Sequence, residues 1–477
     1  MPYPKGVGVR IPVVQNAKQP VSRSSGLLAA LFLAAALALG GGGSPNPLPE
    51  MILEILAAVT VVLWTLGLLR SPSFKRVPLS AWVIAIIIAA IPILQLIPLP
   101  PFIWQALPGR KIEYDALALI GEQSNWRTWS LAPARTLSSV LSLGPPLLLL
   151  TMTSALDEKG RLAVIRSVAL MAVATLIFGA LQHSASDGSP IDLYGVGGKI
   201  LSGFQANNNA TADLMLIALM SGPLLVRTSV TEHLIPDKAA VVLTISAVYM
   251  VICAVAVVLT SSRAGIALLP IPILASLWIL RRWIRFTPRV VLTGLLAMLI
   301  AGPICVVLAR ANPLLASVIA RFDFANELRP QLWRDGLFVA QTYFPFGVGM
   351  GDFVPALVAD ERLQSVQQTM PNRAHNELIE LIAETGVFGL MALSATLFLL
   401  IREVFRKVRS ASRESIGIVC FASTALIVLS VHSMVDYPLR SLSLASLAAA
   451  CAGLLLARSR DPERALDARP APLLTSK

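Results

Sequence analysis

One histidine stands in a short polar string where it could act as a general base. The string is Arg373-Ala374-His375-Asn376-Glu377, and a long apolar run follows it. A neutral imidazole accepts a proton near pH 7, which makes His375 the candidate catalytic residue. A lone histidine can equally serve a structural hydrogen bond, so its neighbours have to decide between the two interpretations.

Three glutamates follow the histidine at helical spacing. Glu377, Glu380 and Glu384 share one face of a predicted helix that enters the apolar run. Carboxylates in such a run are costly unless they are paired. We therefore expect them to meet nearby arginines or to orient His375, and we predict Asn376 and these glutamates as supporting residues of a site.

Residues 310–374, which precede the histidine, carry six arginines and no lysine. A guanidinium group offers a rigid fork of donors that suits phosphate, whereas the lysine ammonium is a point charge. Six acids lie in the same segment, so a solvated surface of mixed charge is the alternative. For the segment as a whole we favour an anion site. Its arginines are Arg310, Arg321, Arg329, Arg334, Arg362 and Arg373.

Arg263 is a separate candidate for anion binding. It follows Ser261 and Ser262 at a predicted tight turn between two apolar segments. Hydroxyl groups and a helix N-terminus favour an anionic ligand at such a place. The alternative is an arginine whose side chain snorkels to the membrane surface.

Other site chemistries lack their signatures. The sequence contains no P-loop, no HExxH and no cluster of cysteine and histidine, and its glycine cluster at 347–351 predicts a tight turn after Pro345. The four cysteines lie in apolar runs and are typical of buried hydrophobic residues. The sequence therefore predicts chemistry without a cofactor and without a metal.

The composition predicts an all-α polytopic membrane protein. Of the 477 residues 55% are hydrophobic and only 14% are charged, and the mean hydropathy is +0.72. Soluble domains carry about 25% charged residues, so this chain could not cover its surface in water. A net charge of +12 is typical of nucleic-acid partners, but its distribution over the loops gives a better explanation.

The hydropathy pattern predicts about twelve spans of roughly 20 residues. The first is short and follows four basic residues, so a cleaved signal peptide is the alternative there. The spans are 26–43, 50–69, 79–98, 135–153, 162–182, 207–226, 239–260, 262–280, 290–309, 375–401, 415–432 and 438–457.

The basic residues predict the orientation. One side of the alternating topology holds 26 of the 39 lysines and arginines, which places both termini in the cytoplasm. Nucleic acid is therefore not a predicted partner. The long segments 99–134, 183–206 and 310–374 then lie on the outer side, and loops of that length are usually functional. We predict an N-terminal transmembrane half at 1–206, a second transmembrane region at 207–457 with a periplasmic loop at 310–374, and a cytoplasmic tail at 458–477.

Several strings, in this order and spacing, resemble the bacterial family of O-antigen ligases and O-antigen polymerases. The resemblance covers about 200 to 440 well and the first half loosely. The strings are WSLAP at 129–133, GFQANNNA at 203–210, TSSRAG at 260–265, RPQLWR at 329–334, FPFGVGMGDF at 344–353, HNEL at 375–378, ETGVFGL at 384–390 and DYP at 436–438.

The resemblance implies a fold of the GT-C type and an inverting, metal-independent glycosyl transfer at the periplasmic face of the inner membrane. The donor would be a glycan on undecaprenyl diphosphate, and the acceptor would be lipid A-core or a growing glycan. By position, Arg263 and Arg329 would bind the diphosphate, with Arg334 and Arg373 as nearby candidates. His375 would act on the acceptor hydroxyl.

Two other functions stay open at this point. A polymerase of the same family would use the same residues and differ in its acceptor, which the sequence does not reveal. A transporter of lipid-linked oligosaccharide would place its polar residues at mid-membrane in broken helices, whereas here they gather on one outer face.

The orientation is testable by labelling. We expect a cysteine placed at Asn372, beside His375, to react with an impermeant thiol reagent on the periplasmic side of sealed cells. A cysteine in the tail at 458–477 should react only after the membrane is broken. Both probes are built in a chain without the four native cysteines. Labelling of the first probe from the cytosol alone would contradict the predicted topology and the site that depends on it.

Overall fold

The computed structural model describes residues 21–42, 47–69, 77–184, 194, 200–232, 238–281, 328–360, 372–410 and 415–458. Within these ranges the chain is built of helices, with one antiparallel pair of two-residue strands. The predicted all-α class is therefore confirmed. The predicted span at 290–309, parts of the loops at 183–206 and 310–374, and most of the C-terminal tail lie outside the described residues.

The elements are numbered here in chain order. The helices are α1 (Val21–Leu39), α2 (Leu48–Leu69), α3 (Leu79–Gln95), α4 (Pro101–Trp104), α5 (Lys111–Leu119), α6 (Pro133–Ser142), α7 (Gly144–Ser154), α8 (Glu158–Ser184), α9 (Asn208–Glu232), α10 (Lys238–Leu259), α11 (Arg263–Leu268), α12 (Pro270–Leu280), α13 (Arg329–Thr342), α14 (Phe353–Asp360), α15 (Glu377–Ser410), α16 (Ser415–His432) and α17 (Leu442–Leu456). The strands are β1 (Pro98–Leu99) and β2 (Arg127–Thr128), and a 3₁₀ turn covers Pro438–Arg440.

Eight helical segments of the described chain are long and apolar enough to cross a membrane, and three shorter apolar helices accompany them. Together they coincide with every predicted span except 290–309. The long segments are Leu48–Gly67, Pro133–Ser154, Glu158–Ser184, Asn208–Thr228, Ala240–Leu259, Arg263–Leu280, Glu377–Arg409 and Ser415–His432. The chain is a multi-pass membrane protein.

Helix α9 lies at the centre of the bundle. Seven consecutive residues, from Leu214 to Met220, are fully buried. A helix that is apolar on all sides has no lipid-facing stripe and packs against protein all round. Its neighbours include α8, α10, α12 and α16. The N-terminal end of α9 thereby becomes a fixed point for side chains that other helices bring to the same end of the bundle.

Small residues allow the helices to approach closely. A Cβ atom on Gly26 of α1 would lie 2.5 Å from the Cα of Gly160 in α8. In α17, a Cβ on Gly453 would meet the Thr153 hydroxyl of α7. Membrane helices associate through such close backbone contacts because lipid supplies no hydrophobic drive between them. Helices from both sides of residue 206 thus pack in one core.

Helix α15 is broken at Gly386, whose φ of 58° and ψ of −139° lie outside the helical region. The carbonyls of Ala383 and Glu384 instead accept hydrogen bonds, each of 2.9 Å, from the amides of Val348 and Gly349. The broken backbone is therefore satisfied by a turn of the same chain, as a membrane environment requires. A Cβ on Gly386 would clash with the Pro345 carbonyl.

The glycine cluster forms the predicted turn. Gly347, Gly349 and Gly351 have φ values of 80°, 117° and 90°, which only glycine adopts freely. A Cβ on Gly347 would lie 2.5 Å from the backbone of Glu384. The strings at 344–353 and 384–390 thus pack against each other at the break in α15, and together they form one contact region, the α15 joint.

The segment between α3 and α6 is attached to this joint. Gln95 accepts a 2.8 Å hydrogen bond from the Met350 amide and donates one of 2.9 Å to the Glu384 carbonyl. The Asp352 carboxylate accepts from the Ser130 hydroxyl at 2.8 Å and from the Ala132 amide at 2.9 Å. Burial raises the pKa of Asp352 to about 6, although these hydrogen bonds oppose the shift. The segment at 98–132 is thereby attached to the turn at 347–352 and to the break in α15.

Candidate functional site

The histidine occupies a strained position in front of a capped helix. His375 has a φ of 50°, which a non-glycine residue seldom adopts. The next residue, Asn376, caps α15, since its side-chain oxygen accepts from the amides of Leu378 and Ile379 at 3.0 and 3.2 Å. The Asn376 amide group also donates to the Met434 carbonyl at 2.8 Å. Backbone strain of this kind persists where the surroundings determine it, and it is frequent at active sites.

The imidazole of His375 is held by a carboxylate from the far end of the sequence. Its Nδ1 atom lies 3.0 Å from Oδ1 of Asp436. The ring also rests on Tyr437 in an edge-on contact, with 5.0 Å between ring centroids, and Trp333 donates to its backbone carbonyl at 3.3 Å. The His375 side chain keeps 27% of its surface exposed, whereas Asp436 is almost fully buried. The ring is thus fixed on one side and accessible on the other.

The Asp436 carboxylate has partners on both oxygens. Its Oδ2 atom accepts a hydrogen bond from the side chain of Asn209, in the first turn of α9, and lies 3.9 Å from Nε2 of His432. Burial alone would raise the pKa of Asp436, but the hydrogen bond with His375, the His432 charge and the Asn209 hydrogen bond outweigh it and lower the pKa. Asp436 is therefore a carboxylate at neutral pH, and it ties His375 to the central helix.

The three glutamates anchor the segment around His375 and do not touch the imidazole. Glu377 accepts a 2.6 Å hydrogen bond from the Ser433 hydroxyl and another of 2.6 Å from the Leu439 amide. Because these donors lie just after α16, Glu377 joins the beginning of α15 to the segment that carries Asp436.

Glu380 and Glu384 form a buried cluster with two arginines. Glu380 lies 3.3 Å from Arg373 and 3.3 Å from Arg440, and Glu384 lies 2.7 Å from Arg440. Burial would lower the pKa of Arg440, but the two carboxylates prevail and raise it. The expected pairing of these acids with a loop arginine is confirmed for Arg373, while the second arginine comes from the turn before α17. The orientation of His375 is due to Asp436.

Two of the predicted anion-binding arginines lie near the histidine. Arg329 begins α13, one turn before Trp333, and its charge acts on His432. Arg373 lies two residues before His375 and is half-buried. Arg334 lies five residues beyond Arg329, which on an α-helix is a rotation of about 140°, and its side chain is exposed. The structure thus separates Arg334 from the face that Arg329 and Trp333 share.

Arg263 lies at the same end of the bundle, at the beginning of a different helix. It begins α11, whose N-terminus is capped by Ser262, since the Ser262 hydroxyl accepts from the Gly265 amide at 3.0 Å. Gly265 packs directly on Ala212 of α9. In addition, Asn208 donates to the Thr260 carbonyl at 2.7 Å. The turn that carries Arg263 is therefore attached to the first turns of α9, where Asn209 holds Asp436.

The remaining predicted features lie outside the described residues or form no site there. Arg310, Arg321 and Arg362 belong to the undescribed part of the loop. In the described ranges, no group of three or more histidine, cysteine, aspartate or glutamate side chains could hold a metal ion.

Sequence reasoning missed the partners of His375. Asp436 and Asn209 lay in strings that carry the family resemblance, but no role followed from them. The sequence motifs also assign no role to His432, whose side chain is 1% exposed and lies 2.7 Å from the Asp213 carboxylate of α9. The available signal was Asp213 itself, since an ionisable residue inside a predicted span usually has a function and a partner.

A comparison with protein-family models assigns the middle of the chain. Residues 248–394 match the family described as O-antigen ligase. The match includes Arg263, Arg329 and His375 and ends before Asp436. No curated protein sequence matches the chain. The chain therefore carries an O-antigen ligase domain, the predicted resemblance is confirmed, and the domain supports an activity of the ligase or polymerase type.

The buried ion cluster gives a prediction for stability. We expect Arg440→Gln to lower the free energy of unfolding by about 3–5 kcal/mol, because it leaves the buried carboxylates of Glu380 and Glu384 without their shared cation. Thermal unfolding in detergent micelles measures the loss. Arg402→Gln, at an arginine whose side chain is 59% exposed, is the matched control and should change stability by less than about 0.5 kcal/mol. Equal stability of the two variants would show that the cluster contributes nothing.

Proposed function

We propose that this protein is an inverting, metal-independent glycosyltransferase that moves a glycan from undecaprenyl diphosphate onto an acceptor sugar hydroxyl. The proposed location is the bacterial inner membrane, with the site at the periplasmic face. The observation that carries the proposal is a half-exposed histidine fixed to a buried carboxylate, at the bundle end where Arg329, Arg373 and Arg263 also lie. The O-antigen ligase domain supports the same reaction class.

His375 is proposed as the general base. With Nδ1 directed at Asp436 at 3.0 Å, the proton of the neutral ring resides on Nδ1, and Nε2 has the free lone pair. Nε2 takes the proton from the acceptor hydroxyl while the hydroxyl oxygen attacks the anomeric carbon. Asp436 then stabilises the imidazolium. A base placed in this way typically contributes about 10²–10⁴-fold to the rate.

The arginines are proposed to stabilise the leaving group. As the new glycosidic bond forms, the bond between the anomeric carbon and the diphosphate oxygen breaks, and its electron pair leaves with undecaprenyl diphosphate. Guanidinium groups bind such an anion through paired hydrogen bonds, and each contact aimed at developing charge lowers the barrier by roughly 3–4 kcal/mol. Arg263 and Arg329 are proposed as the principal ligands and Arg373 as a further contact, whereas Arg334 lies on another face of α13. A single displacement inverts the anomeric configuration, since no enzyme nucleophile takes part.

The acceptor distinguishes a ligase from a polymerase. A ligase uses lipid A-core, and a polymerase uses a glycan that is still attached to its own lipid diphosphate. Both reactions need the same base and the same cations, and we propose the ligase as the main function. The charge distribution supports a periplasmic site, and that compartment holds no nucleotide sugars, so a lipid-linked donor fits it.

Reconstitution with a purified lipid-linked glycan tests the function. The protein in proteoliposomes receives the donor together with either lipid A-core or a second molecule of donor. We expect transfer to lipid A-core, equal rates with and without a chelator, and release of undecaprenyl diphosphate. Consumption of the second donor alone would indicate a polymerase. Movement of donor between leaflets without a new glycosidic bond would indicate a transporter. If the chelator abolished transfer and one divalent cation restored it, the metal-independent reaction would be contradicted.

Single substitutions test the assigned roles in the same assay. We expect His375→Ala to lower kcat by about 10²–10⁴-fold with little change in donor binding. Arg263→Ala and Arg329→Ala should each lower kcat/KM by about 10²-fold or more. Arg402→Ala, at the opposite end of α15, is the control and should retain full activity. Unaltered turnover in any of the three site variants would remove that residue from its proposed role.

A further inference from the structure

A second pair of titratable side chains is buried directly behind Asp436. His432, the last residue of α16, places Nδ1 at 2.7 and 2.8 Å from the two carboxylate oxygens of Asp213. Its Nε2 atom faces Oδ2 of Asp436 at 3.9 Å. The side chains of Asp213, His432 and Asp436 are 0%, 1% and 2% exposed. Asp213, His432, Asp436 and His375 are thus successive neighbours, from the buried Asp213 to the partly exposed ring of His375.

The geometry restricts where the protons reside. If His432 were neutral with its proton on Nδ1, the lone pair of Nε2 would face the anionic Asp436 carboxylate in a buried place, which is repulsive. Among the described residues, Nε2 has no hydrogen-bond partner that would relieve this contact. A proton on Nε2 turns the same contact into an attraction. A further proton then lies between Nδ1 and the Asp213 carboxylate and is bonded to one or the other.

We propose that Asp213 and His432 together hold two protons, one on Nε2 of His432 and one shared between Nδ1 and Asp213, and act as positioning residues, so that an N–H group faces Asp436 and limits how strongly that carboxylate attracts a proton to His375. This inference rests on the proposed role of His375 as the general base. Without the pair, the isolated Asp436 charge would hold His375 in its protonated form to higher pH, and a protonated ring cannot accept the acceptor proton. At 3.9 Å the interaction is one of charge, since the distance exceeds hydrogen-bond length.

Other charged groups lie at the ends of the neighbouring elements, and the variants leave them unchanged. They are Arg263 at the beginning of α11, Arg329 at the beginning of α13, Glu377 at the beginning of α15 and Arg440 in the turn before α17. The charge of Arg329 already acts on His432, and it opposes a proton there. The Asp213 carboxylate has to outweigh it, which is why we assign both protons to the pair.

Kinetics over a range of pH test the proposal. The variants are His432→Gln, Asp213→Asn and their combination, with Thr424→Val, at a buried residue two turns earlier on α16, as the control. The double variant removes the charged pair as a neutral unit and leaves no lone buried charge, so it serves if the single variants fail to fold. We expect kcat of the double variant, measured at a pH on the acidic limb, to fall about 3-fold, which is the change that half a pH unit implies and is less than the loss of the base itself, with KM for the donor unchanged.

The shape of the pH profile separates positioning from a structural role. We expect the acidic limb of the kcat profile of the double variant to move upward by about half a pH unit, since the N–H group no longer opposes the Asp436 charge. The control should keep the wild-type limb. Recovery of both the wild-type kcat and the wild-type limb in the double variant would overturn the proposal and leave the pair a structural ion pair.

Nuclear magnetic resonance provides a readout that needs no substrate. The chain has four histidines, so ¹⁵N signals of the rings can be assigned by single substitutions. We expect Nε2 of His432 to carry a proton between about pH 6 and about pH 8, both in the wild-type protein and in Asp213→Asn, whereas the proton shared between Nδ1 and Asp213 is absent from Asp213→Asn. An unprotonated Nε2 in the wild-type protein would overturn the inference. If the wild-type protein shows this proton but transfers no glycan, the proposed function fails while the proton arrangement stands.

Discussion

The structure depends on one buried carboxylate. Asp436 lies between the end of α16 and the turn before α17, yet its oxygens meet His375 from the start of α15 and Asn209 from the start of α9. A charge in such a place requires partners, because removing it from water without them costs several kcal/mol. That requirement brings three separate parts of the chain to one point. The same carboxylate selects the ring nitrogen of His375 that faces outward, so the constraint that orders the fold also prepares the base.

The break in α15 is the second constraint. Past Glu384 the helix cannot continue through Gly386, and the freed carbonyls need donors that lipid does not provide. The glycine turn at 347–351 supplies them from its own amides, and Gln95 and Asp352 attach the segment at 98–132 to the same joint. The loop that follows α3 is thereby connected to the helix that begins beside His375. The break at Gly386 lies about two and a half helical turns after Glu377, where α15 begins.

The charges of the site fall into two groups with different tasks. Arg373 and Arg440 neutralise Glu380 and Glu384, which are fully buried, and so stabilise the first turns of α15 below His375. Arg263 and Arg329 begin helices whose N-termini point to the same end of the bundle, where backbone amides add to an anion-attracting field. Sequence position did not separate the groups, since Arg329 and Arg373 belong to the same loop. The structure assigns Arg373 and Arg440 to the first group because Glu380 and Glu384 lie beside them.

By itself the sequence determined the membrane class, most of the spans, the turn at 347–351 and the family resemblance of His375, Arg263 and Arg329. These follow from local properties, because hydropathy, glycine geometry and short motifs act over a few residues. Only the tertiary structure decided that Asp436 orients His375, that Arg440 pairs with Glu380 and Glu384, and that His432 is buried against Asp213. The members of these contacts are 56 to 219 residues apart in the sequence. No local pattern encodes such a pairing, because the energy of a buried charge depends on which side chains the packed helices place beside it.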